Sequence, residues 1–280
     1  MKIKYSLLCK LVGLTNKEVV FLLYIARFQN EKGEAIGIYY KDIMKECDMC
    51  KQTFYTVLRS LEKKGLIAYT RVDNDYNITI LNNDFSYPGS YSEGYVNVGR
   101  KVFGQKRFRS LRAKEKVLTL LFLKITHENS RSYRIEVKEF YKKYKELLGV
   151  TERVLRGYLH SLRKLFSIGI KDRHFYITYR AEVFKDRREE SETDQYLGHI
   201  VRTGCRRNKV NVSSITAVKD TLQLIKQYRQ EAREAGRSIF EILNSSLAEC
   251  RNSILNSKYI HKLIRQALGI EHRPTMGVQF

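Results

Sequence analysis

Apolar residues recur at helical spacing over Val19, Val20, Leu22, Leu23, Ile25 and Ala26, just after Thr15 and Glu18. A hydroxyl three residues ahead of a carboxylate is a capping box, so a helix is predicted to start at Thr15. A polar turn around Gly33 follows, then a short strand over residues 35–39. Residues 42–47 predict a second, short helix. Residues 51–64 predict a third, opened by Asp48 or Cys50, with Phe54, Val57, Leu58 and Leu61 on its buried face and Gly65 ending it. Residues 66–71 and 76–81 alternate as two strands joined by a tip at 72–75.

The same order returns downstream. Ser110 is placed to cap a helix from 111 to about 126. Residues 132–137 predict a strand and 137–148 a second helix, and Thr151 caps a third. The apolar positions of that third helix are Val154, Leu155, Tyr158, Leu159, Leu162 and Leu165, and Gly169 is expected to end it. A hairpin with Lys171, Asp172 and Arg173 at its tip closes the copy. Helix, strand, helix, helix, hairpin is the order a winged helix requires. The expected fold is therefore mainly α with small β-wings (α+β): two tandem winged-helix domains at 1–84 and 110–180 and a C-terminal helical region. A linker with basic and aromatic residues is expected at 85–109 and a charged linker at 181–210. The helical region at 211–280 should hold one helix over 214–235 and one or two more over 238–268, broken near 252–256.

Charge changes the picture more than composition does. The formal net charge is +22 over 280 residues. Residues 1–84 carry 13 Lys/Arg against 10 Asp/Glu, whereas residues 111–180 carry 17 against 7. The excess thus peaks on the second copy, which points to a phosphate footprint there and to double-stranded DNA as partner. Apolar runs such as residues 117–123 are too short to span a bilayer, and no signal-length segment follows Lys2 and Lys4, so no membrane partner and a cytoplasmic location are expected. Five cysteines without a secretory signal are expected to be free thiols. Cys47 and Cys50 form a CxxC with no second ligand pair, so two small residues at a helix–helix turn is the favoured reading, and neither metal nor cofactor is expected.

In a helix-turn-helix the third helix enters the major groove and needs donors in its first half. The first copy offers Lys51, Gln52, Thr53, Tyr55, Thr56 and Arg59. The second offers Arg153, Arg156 and His160, with Arg163 and Lys164 further along. Arg153 and Arg156 share a helical face, and a guanidinium can pair twice with a guanine edge, so these two are the expected specificity residues. Lys171 and Arg173 suit minor-groove or phosphate contact, whereas the first tip, Asp73-Asn74-Asp75, is acidic. Lys106, Arg107 and Arg109 alternate with phenylalanines and either track a DNA backbone or stay solvated. His160 and Arg163 also match the HxxR of tyrosine recombinases. No Tyr lies between Tyr196 and Tyr228 to act as nucleophile beyond His199, so no enzymatic activity is expected.

On these residues the chain resembles tandem winged-helix plasmid replication initiators over 14–180. In those proteins the second copy usually reads the origin repeat. The stretch from Glu249 through Arg251-Asn252 to Tyr259-Ile260-His261-Lys262-Leu263-Ile264 is similar to the helical region of DnaD-like primosomal proteins, without the aromatic residue typical after that helix. The resemblance implies a bacterial origin-binding protein that recruits helicase-loading partners and can self-associate. A winged-helix transcription regulator, and a DNA-bound structural or conjugation accessory protein that docks through its first copy, are the alternatives.

Overall fold

The structure is a computed structural model and describes residues 1–97, 102, 103, 106–128, 132–180 and 192–270. It is helix-rich α+β with three small antiparallel sheets, in two compact units, Met1–Glu192 and Thr193–Phe280.

The first unit opens with β1 (Lys2–Lys4), α1 (Tyr5–Lys10) and a 3-10 turn at Leu11–Gly13. Then come α2 (Asn16–Ala26), β2 (Glu34–Tyr39), α3 (Tyr40–Cys47), α4 (Lys51–Lys63), β3 (Ile67–Val72) and β4 (Asp75–Ile80). After β5 (Tyr95–Asn97) and α5 (Lys106–Arg109), the second copy runs α6 (Ala113–Glu128), β6 (Ser132–Glu136), α7 (Val137–Leu148), α8 (Glu152–Leu162), β7 (Phe166–Lys171) and β8 (His174–Tyr179). The copies have matching sheets, ordered β2-β4-β3 and β6-β8-β7, in which the lone strand pairs with the returning strand of the hairpin.

Thr15 caps α2 in a complete capping box with Glu18. That carboxylate is also buried, accepting from Ser60 Oγ at 2.6 Å and from Lys64 Nζ at 2.7 Å, so it ties the start of α2 to the end of α4. Burial alone would raise its pKa. The Lys64 ammonium, the Ser60 hydroxyl and the Thr15 N–H outweigh that and hold the carboxyl at about 2. Gly65 ends α4 with φ 65°, a left-handed conformation that a side chain would strain, and the Leu66 N–H closes the motif on the Leu61 carbonyl.

One hydrophobic core runs through both copies. Phe21 and Phe54 meet in the first, Phe122, Phe140, Tyr144 and Phe166 in the second, and Leu7, Leu8 and Leu11 belong to the same cluster. Helix α6 packs on α1 and α2. At this seam the buried Lys116 ammonium donates to Asn16 Oδ1 at 2.9 Å, to the Arg109 carbonyl at 3.2 Å and to the Leu111 carbonyl. Burial depresses its pKa to about 8, against the opposing pull of Glu115.

Several expectations are corrected. Helix α6 begins at Ala113 rather than 111, because Glu115 reaches back to the Arg112 N–H, while Ser110 Oγ donates to the Arg107 carbonyl instead of capping. Gly169 does not end α8, which stops at Leu162 through a tight turn; Gly169 sits inside β7 opposite Tyr176. The expected linker at 85–109 contains β5, which pairs with β1, as well as the buried Phe85 and α5. Within it, residues 98–101, 104 and 105 lie outside the described residues. Of the expected charged linker at 181–210, residues 181–191 also lie outside them, but Glu192–Arg207 is a helix.

That helix, α9 (Glu192–Arg207), is followed by α10 (Ile215–Gln227), α11 (Arg229–Glu234), α12 (Ile239–Glu249) and α13 (Ser257–Ala267). Leu197, Val201 and Cys205 recur every four residues and face the core of the second unit, while Arg202 is exposed and Asp194 pairs with Lys226 of the next helix at 2.5 Å. The single helix expected over 214–235 is two, broken at Tyr228, whose hydroxyl meets His261 Nε2 at 2.7 Å. A Cβ at Gly204 would stand 2.8 Å from Leu247 Cδ1, which marks how closely α9 approaches α12.

Candidate nucleic-acid interface

Helix α8 is capped by Thr151 and buries Leu155, Tyr158, Leu159 and Leu162. With that stripe inward, Arg153, Arg156, His160 and Arg163, spaced 3, 4 and 3 apart, form one exposed row, and Lys164 is exposed just past the helix end. Arg153 has no ion pair among the described residues. Arg156 meets the Tyr141 side chain, whose ring centre is 5.8 Å away, and reaches back to Glu152 at 2.6 Å, contacts that favour its charged form. Both partners of this ion pair are well exposed, so it contributes little to stability and yields readily to a better acceptor.

Gly157 lies in the middle of this row. It is exposed, its φ is not left-handed, and a Cβ placed there would meet nothing within 4 Å. A glycine in a helix interior costs about 1 kcal/mol relative to alanine. Nothing among the described residues requires it, whereas an outside surface approaching the helix backbone would. Gly157→Ala is thus expected to raise stability in urea by about 1 kcal/mol and at the same time weaken duplex binding. Equal duplex affinity of the alanine variant would show that nothing docks closely on this face.

The hairpin after α8 turns in two residues. Asp172 and Arg173 have φ of 49° and 60°, the turn whose twist matches that of paired strands. Its tip exposes Lys171 and Arg173, and the Arg173 carbonyl accepts from the Val137 N–H, fixing the hairpin to the start of α7. Lys171→Ala should weaken binding to all duplex sequences alike and reduce the slope of log affinity against log salt by about one. A loss confined to one sequence would assign Lys171 to base contact instead.

The first copy differs. Lys51, Gln52, Thr56 and Arg59 are exposed on α4, and Lys63 extends the row one turn beyond Arg59, a position the spacing Gln52, Thr56, Arg59 could have flagged. Two other expected residues are only partly exposed. Thr53 Oγ pairs with Cys50 Sγ at 3.1 Å at the helix start, and the half-buried Tyr55 stacks edge-on against Phe54 and Tyr76. Its hairpin tip is less acidic than the sequence suggests, since Asp75 is buried and Asp73 shares the turn with Arg71, whose Nε donates to its carbonyl. Cys50 is the cap of α4, with its thiol held below the usual range by the Thr53 hydroxyl; Cys47 is buried, which pushes its thiol up to about 12.

On α5, Lys106 and Arg107 are exposed, and Phe108 is buried against Phe103. Arg109 is engaged elsewhere: it donates to the Glu46 carbonyl at the end of α3. The structure therefore gathers Arg153, Arg156, His160 and Arg163 on one helix face. Tyr55 is instead packed against Phe54 and Tyr76, Thr53 is engaged at the cap of α4, and Arg109, though exposed, is tied to the Glu46 carbonyl.

No family model, curated protein or solved structure matches this chain. No helix among the described residues is long and apolar enough to cross a membrane.

Proposed function

We propose that the chain is a sequence-specific double-stranded DNA-binding protein, acting in replication initiation at the origin of a bacterial plasmid or mobile element. The observation that carries the proposal is the exposed row of Arg153, Arg156, His160 and Arg163 around an otherwise unexplained helical glycine. Two copies of helix, strand, helix, helix and hairpin, with matching strand order, support taking each copy as a winged helix. In that arrangement α8 enters the major groove and the Lys171–Arg173 tip meets the flanking backbone. The concentration of net charge on the second copy supports assigning base readout there and a weaker, positioning role to α4. The second unit is the candidate contact for helicase-loading partners.

Footprinting across the replicon that encodes the protein tests this reading. Protection of directly repeated sites beside its own gene is expected. Protection of scattered promoters alone would make it a transcription regulator, and uniform protection would remove sequence specificity.

A further inference from the structure

Between α2, the end of α3 and the α5–α6 segment lies a cavity of about 510 Å³. It is large enough for a nucleotide-sized molecule. Val20, Tyr24, Phe103 and Phe108 supply apolar and aromatic walls. The charged lining is five cations against two carboxylates, Glu46 and Asp48.

Three of the cations already have partners. Lys17 donates to the Asp48 carbonyl and Arg109 to the Glu46 carbonyl, satisfying the end of α3, and Lys116 holds the three acceptors at the seam. Arg27 and Lys45 are different. Lys45 is exposed at the rim. Arg27 lies 5.6 Å from the Tyr24 ring centre and 5.5 Å from that of Phe28, and its Nε is buried without a hydrogen-bond partner. A buried donor left unmade is costly in a native fold and calls for an acceptor.

We infer that this cavity binds a small organic anion, with a flat aromatic body against Tyr24 and Phe103 and a phosphate, sulfonate or carboxylate head on Arg27 and Lys45. The site stands independently of the DNA-binding proposal, since none of its residues belongs to the α8 row. The excess positive charge selects the anion, and the aromatic walls distinguish such a molecule from a bare inorganic ion.

Calorimetric titration of the full chain at physiological salt tests it, with AMP and 1-anilinonaphthalene-8-sulfonate as probes and adenosine and inorganic phosphate as controls. At least one probe should bind saturably, and about tenfold or more tighter than either control. Arg27→Met and the surface variant Lys45→Met should each weaken that probe several-fold, whereas Arg153→Ala with Arg156→Ala should leave it unchanged. Lys45→Met keeps the test valid should Arg27→Met fail to fold. Absence of binding by both probes, binding of phosphate as tight as either probe, or affinity unchanged in Lys45→Met would each overturn the assignment.

Discussion

Replacing Arg153 and Arg156 together by alanine is expected to lower discrimination between the specific duplex and random DNA sharply while leaving the fold intact. Each bidentate base contact is worth about 1–3 kcal/mol of discrimination, so losing two should reduce the specificity ratio by about two orders of magnitude or more. Both side chains are exposed, and the exposed Glu152 partner of Arg156 adds little to stability, so melting should barely move. Competitive binding to specific and random duplexes at one fixed salt concentration measures the effect. A double variant with an unchanged specificity ratio would remove α8 as the reading element. The single variants refine the picture. Arg153 can engage a base directly, whereas Arg156 must first leave Glu152 and Tyr141.

The second large effect concerns stability in acid. Glu18 falls from an ordinary carboxyl pKa of 4.5 to about 2 because its burial is outweighed by the Lys64, Ser60 and Thr15 donors. Its folded pKa lies below the unfolded value, so its contribution is fully present above about pH 5 and is lost as pH falls from 4.5 toward 2. A difference of that size corresponds to about 3 kcal/mol. Urea melts of wild type and Glu18→Gln followed by circular dichroism should differ by about that amount at pH 7 and converge near pH 2. Curves separated equally at both pH values would show that the loss comes from packing rather than from the charge.

Much of the architecture was legible because its signals are local. The Thr15–Glu18 spacing, Gly65 after α4, Thr151 before α8 and the two hairpin tips each fix a boundary through residues a few positions apart. What stayed hidden depends on distant contacts. The β1–β5 pairing joins Lys2 to Asn97, and no periodicity near either residue announces it. Lys116 looks like one more surface lysine until α6 lands on α2. The charge density of residues 192–207 masked Leu197, Val201 and Cys205, whose four-residue spacing was there to be read. The exposed row on α8 followed directly from its buried stripe. The packing of Tyr55 did not, because it depends on Tyr76 arriving from β4.

The continuous core beneath both copies has a geometric corollary. Helices α4 and α8 stand on one packed interior, with α6 and Lys116 closing the seam, so neither moves independently of the other. On the proposed target such a body acts as a ruler. About five base pairs inserted between the two half-sites, half a turn of duplex, would put the second half on the wrong side of the helix, whereas a flexible tether would have tolerated the change.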